Sequence, residues 1–84
     1  MPNPFNAGTL VHFSLPKEGE ASLEVYNILG QKVATLSDGR LPAGDHEVQW
    51  SGMDDRGIAL PSGLYMLRLA SGDQVAHKKM IIMK

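Results

Sequence analysis

Apolar residues recur at every second position through most of this chain, and glycines break the pattern at short intervals. Val11, Phe13 and Leu15 share one face of "TLVHFSL", which Pro16 ends. Leu23 and Val25 share a face of "ASLEVYN". His46, Val48 and Trp50 alternate with polar neighbours in "DHEVQW". Tyr65, Leu67 and Leu69 alternate with Leu64, Met66 and Arg68 in "GLYMLRLA", and "QVAHKKMIIMK" closes the chain. Period two is the signature of half-buried strands, because successive side chains of an extended chain point to opposite faces. The nine glycines, at 8, 19, 30, 39, 44, 52, 57, 63 and 72, lie five to eleven residues apart. That rhythm is close to the turn at about every 8–12 residues of a small β-sandwich.

One stretch resists this reading. In "VYNILGQKVATL", residues 25–36, Val25, Ile28, Leu29, Val33 and Leu36 would share one side of a helix. A helix there would hold Gly30 at its centre, at about 1 kcal/mol relative to Ala. Glu24 would be a poor N-cap. As a hairpin, Asn27 opens the turn and Gly30 takes the left-handed position before the chain returns through Lys32 to Leu36. Turn chemistry favours the hairpin. "PKEGE", "SDGRLPAGD", "SGMDDRG", "LPSG" and "ASGD" read as further connections, with Gly for positive φ and Pro for a fixed φ.

Size and charge narrow the function. Eighty-four residues make one domain at most, here 1–84. The chain has no cysteine, so neither a disulfide nor a cysteine nucleophile is available. A net charge of −1 gives no basic field for a phosphate backbone, which argues against nucleic acid as a partner. The uninterrupted aliphatic run Met80–Met83 is far too short to span a membrane. "MPNPFNAGTLVHF" has neither the basic leader nor the apolar core of a signal peptide. The chain is therefore either cytoplasmic or one module of a longer exported protein.

Few residues suggest chemistry. His12, His46 and His77 lack metal-pair spacing, and His46 reads as a packed histidine at a sheet end. There is no G-x-S-x-G elbow, so an enzyme is not expected. Asp54-Asp55-Arg56-Gly57 could offer carboxylates to Ca²⁺, but without the D-x-D-x-D-G spacing it reads as an Asp/Gly turn, as does Asp38-Gly39. Trp50 and Tyr65 could stack on a sugar if exposed, yet each is in phase with aliphatic neighbours and reads as core. No catalytic, metal or cofactor site is assigned.

The ordered set "NPFN", "TLVHFSLP", "SLEVYNILGQKVATL", "LPAGDHEVQWSGMDDRG", "LPSGLYMLRL" and "KKMIIMK" covers nearly the whole chain. It resembles the C-terminal sorting domain of cargo exported by the bacterial type IX secretion system. The same pattern is similar to the FlgD-type immunoglobulin-like module, a close structural relative. The resemblance implies an all-β fold, an immunoglobulin-like antiparallel β-sandwich of about seven short strands. It also implies a non-catalytic export signal at the end of a cargo protein, read by the translocon, often removed by a surface peptidase, and delivered to the outer-membrane surface or medium. The family motifs fall on Leu29-Gly30, on Gly63-Leu64-Tyr65 and on Lys78 to Lys84.

Recognition residues are accordingly expected among Ile28, Leu29, Gly30, Gly63, Tyr65, Lys78, Lys79, Met80, Ile82 and Lys84. Ile28 and Leu29 either fold back to plug one end of the sandwich or form a docking patch. The tail reads either as a last strand paired inside the sheet or as an end that export machinery captures. Two other roles stand beside sorting: a FlgD-like spacer or capping module, and a carbohydrate-binding module of a secreted glycosidase.

Overall fold

The structure, a computed structural model, describes residues 8–83; the "NPFN" stretch and Lys84 lie outside them. Six strands follow one another: β1 (Thr9–Leu15), β2 (Gly19–Tyr26), β3 (Lys32–Leu41), β4 (Gly44–Trp50), β5 (Gly63–Ser71) and β6 (Gln74–Ile82). They form two antiparallel sheets, one of β1 and β4, the other in the order β3-β2-β5-β6. The chain passes between sheets at Pro16–Glu18, at Pro42-Ala43 and through residues 51–62. The protein is thus all-β and sandwich-like. About seven strands were expected; in the β4–β5 connection only a single bridge, Met53 to Ala59, forms where a further strand could have been.

The alternation places the core. Val11, Leu15, Leu23, Val25, Trp50, Tyr65 and Leu67 are buried, and Phe13 and Leu69 pack half-buried against them. Each fully buried Val or Leu side chain contributes about 1.5–3 kcal/mol of transfer free energy. His46 lies where the sequence put it, its ring stacked on Phe13 at 5.3 Å and its Nε2 2.8 Å from the Pro42 carbonyl.

Residues 25–36 form the hairpin. The Gly30 N–H donates to the Asn27 carbonyl, and the Asn27 N–H donates to that of Gln31. Asn27 Oδ1 accepts from the Leu29 and Gln31 amides, the side-chain bonding that makes Asn a turn residue. Gly30 has φ +80°, with open space where a Cβ would sit. Gly30→Ala is therefore expected to cost about 1–2 kcal/mol, the strain of a left-handed backbone with a side chain. Urea denaturation of the two proteins would measure it.

Two bulges explain why this stretch mimics a helix. Val25 pairs with Ala34 and Tyr26 with Lys32, which leaves Val33 unpaired; Leu23 pairs with Ser37 and Glu24 with Thr35, which leaves Leu36 unpaired. Each extra residue resets which face its neighbours occupy. Val33, Ala34 and Leu36 all reach the core, at a spacing that period two forbids and a helix would allow.

The turn expected at Asp38-Gly39 is not there. β3 continues through both residues, Asp38 opposite Ser22 and Gly39 opposite Ala21. On an edge strand with solvent alongside, an exposed Asp and a Gly with no side chain to bury cost little, and the ladder to β2 outweighs their turn preference. The chain leaves the sheet three residues later, at Pro42.

Candidate interaction surface

The β4–β5 connection is pinned from both sides. The Trp50 indole N–H donates to the Met53 carbonyl at 3.0 Å, the Leu60 N–H to Gly52 at 2.9 Å, and the Tyr65 hydroxyl to the Pro61 carbonyl at 2.8 Å. Trp50 and Tyr65 are each 6% exposed. Neither ring presents a face for a sugar to stack on, so the carbohydrate-platform reading is overturned. Tyr65 likewise packs into the core, while bordering the two surface depressions at the hairpin end.

The Asp54–Gly57 segment is a turn that caps a sheet edge. Asp54 Oδ1 accepts from the Arg56 and Ile58 amides at 2.9 Å each. Asp55 donates its N–H to the Val33 carbonyl at 3.1 Å and accepts from the Thr35 amide at 2.9 Å. The Asp54 carboxylate is thereby engaged within the turn, and that of Asp55 ties the connection to the edge of β3. The N–H donors, Ile58 first, hold the Asp54 carboxyl below its ordinary value. A folded-state pKa lower than the unfolded one gives stability that is present above about pH 3.9 and lost as pH falls through the depressed value. The amide shifts of Arg56 and Ile58 should therefore titrate with a midpoint below that of an ordinary aspartate, measured by two-dimensional NMR.

Ile28, Leu29, Leu64, Ile81 and Met83 put exposed apolar surface at the hairpin end of the four-stranded sheet, while Leu10, Met53, Ile58 and Val75 are exposed elsewhere. Ile28 and Leu29 are each 77% exposed, so the plug reading fails and both side chains stand clear of the sandwich. Ile28 and Gly30 line a groove with Tyr26, Leu64 and Met66, and Leu29 and Gly63 line the depression beside it. Leu64 is paired with Ile81, which is 67% exposed, and Met83 follows. At the polar end of the groove, Glu24 is 3.7 Å from Lys32 and 3.6 Å from Arg68. It also accepts the Tyr26 hydroxyl at 2.8 Å, and that bond, with burial, raises the Tyr26 pKa.

The structure thus brings Ile28, Leu29, Gly30 and Gly63 together, with the Tyr65 ring beneath them. It separates the tail residues. Met80 and Ile82 turn inward and pack half-buried against the core, whereas Lys78 and Lys79 are exposed further along β6. The last strand is paired into the sheet but at its edge: among the described residues β6 borders β5 alone. Leu64, Met66, Ile81 and Met83 were absent from the expected set. Their signal was nonetheless present, an apolar residue in the phase opposite to Tyr65, Met80 and Ile82.

Among the described residues no helix is long and apolar enough to cross a membrane. No curated protein matches the chain. The family model of the FlgD Ig-like domain matches residues 3–74, which takes in β1 to β5 and stops at the first residue of β6. A match over most of the sequence, on a two-sheet antiparallel sandwich, places this chain in the FlgD Ig-like domain family.

Proposed function

We propose that this domain is a non-catalytic structural module, a spacer or cap that works by contact with other polypeptide. The observation that carries this reading is the family match over residues 3–74. The use of its side chains agrees with it. Trp50 and Tyr65 are spent on the core, Asp54 and Asp55 on a turn, and Ile28, Leu29, Leu64, Ile81 and Met83 leave apolar surface exposed at one end. A contiguous exposed apolar patch with a polar rim is a feature of protein-contact surfaces.

Sorting of a cargo through type IX secretion is the second reading. It is favoured by the terminal strand, an exposed edge bearing Lys78 and Lys79 that lies almost wholly beyond the matched residues. On that reading the partners are the translocon, a surface sorting peptidase and an N-terminal cargo domain, and the location is the outer-membrane surface or the medium. A periplasmic reporter carrying this chain at its C-terminus, expressed in a bacterium with a type IX system, separates the two. The structural reading expects the reporter to stay in the periplasm. Delivery to the surface or medium would replace it with the sorting reading.

A further inference from the structure

The two edges of the four-stranded sheet are finished differently. β3 is bulged at Val33 and Leu36, and the Asp55 turn bonds its backbone at Val33 and Thr35. Bulges and covering loops are the usual means of closing an edge to further strands. Among the described residues β6 has neither. It pairs with β5 through nine successive residue pairs, from Gly63–Ile82 to Ser71–Gln74, with no register shift, and no described strand lies on its other side. The Gly72-Asp73 turn, with φ +62° at Gly72, fits the two-residue hairpin loop that keeps such a pair in register.

Charge tells what this edge admits. β6 carries His77, Lys78 and Lys79 at its middle and no acidic residue. Neither lysine has an ion-pair partner among the described residues; Glu24, the acid on the neighbouring face, is engaged by Lys32 and Arg68. Two copies of β6 paired antiparallel at full overlap would set Lys78 opposite Lys78 and Lys79 opposite His77. The Lys78–Lys78 contact sets like charges directly opposite, which destabilises a pair, so the strand discriminates against its own copy. The edges of β1 and β4 lack this bias, since Asp45 and Glu47 stand beside His12 and His46.

We propose that the outer edge of β6 receives an extended acidic segment of another protein as an additional strand. Backbone hydrogen bonds supply the attachment, and carboxylates beside Lys78 on one face of the sheet and Lys79 on the other supply the selectivity. This deepens the reading of the domain as a contact module and is independent of whether the contact serves assembly or export.

The test uses the whole chain and two valine-rich synthetic peptides, one with an adjacent glutamate pair at its centre and one with an adjacent lysine pair, because neighbouring residues of a strand face opposite sides. The acidic peptide should bind at low ionic strength and slow amide exchange within Gln74–Ile82, while the basic one should not bind. Lys78→Glu/Lys79→Glu, at exposed positions, should keep its thermal unfolding, weaken the acidic peptide by about tenfold or more and admit the basic one. Lys78→Val/Lys79→Val should self-associate in sedimentation where the parent chain stays monomeric. The proposal is overturned if the acidic peptide does not bind, if both peptides bind equally, or if the perturbed amides are those of Ile28 and Leu29 rather than β6. The reporter experiment is unaffected by any of these outcomes, so the two readings fail separately.

Discussion

Trp50→Ala is expected to remove most of this domain's stability. A domain of this length has roughly 4–12 kcal/mol in total, taking 0.05–0.15 kcal/mol per residue. Truncating a buried Trp to Ala costs about 3–5 kcal/mol, from lost burial and the cavity left behind. Here the indole does a second job, since its N–H holds the Met53 carbonyl and with it the start of the connection that caps β3. The effect should therefore appear twice: as a lower urea midpoint, and as faster amide exchange at Thr35, whose N–H depends on Asp55. Because Trp50 is the only tryptophan, far-ultraviolet circular dichroism has to follow the unfolding. A loss below about 1 kcal/mol would mean that the ring is not packed between the sheets as described.

Val25→Asp should be more damaging still. Val25 is wholly buried, in the second strand, with Ala34 of β3 on one side and Leu67 of β5 on the other. No neighbour there can pair with a carboxylate, and an uncompensated buried charge belongs with the rare substitutions that cost more than about 4–5 kcal/mol. The variant should be unfolded at 25 °C and neutral pH. Burial raises the folded-state pKa of such a group, so its penalty grows as pH rises and shrinks as the carboxyl is protonated; partial refolding on mild acidification is the expected sign. Ile28→Asp is the control. The same change at a position 77% exposed should stay within about ±0.5 kcal/mol. Equal damage at the two sites would contradict the division between core and hairpin tip.

Those two positions also show what could be read in advance. Val25 and Trp50 were legible as core because each sits in phase with aliphatic neighbours, and phase is a local property of the chain. The hairpin at Asn27–Gly30 was legible because Asn and Gly have conformational preferences that act within a few residues. β3 was less so. Its bulges at Val33 and Leu36, and its passage through Asp38-Gly39, depend on what β2 offers opposite, and a partner on another strand leaves no mark on the strand's own pattern. Nor could periodicity say which strand lies outermost. The outward placement of Ile28 and Leu29 was similarly undecided, because a two-residue apolar tip satisfies the same turn whether it bends in or stands out.

The position of β6 has a mechanical consequence. Among the described residues its only ladder is the one to β5, and the pair nearest the C-terminal end is Gly63–Ile82. Traction applied beyond Ile82 and away from the sheet loads that rung alone, then Leu64–Ile81, and so on toward the Gly72 turn. The strand comes away like a zipper, at the force of one rung at a time, with the β2–β5 ladder still intact behind it. A tug on the other end meets a different resistance: Trp50 is opposite Thr9, so β1 is held to β4 at the very residue that anchors the core.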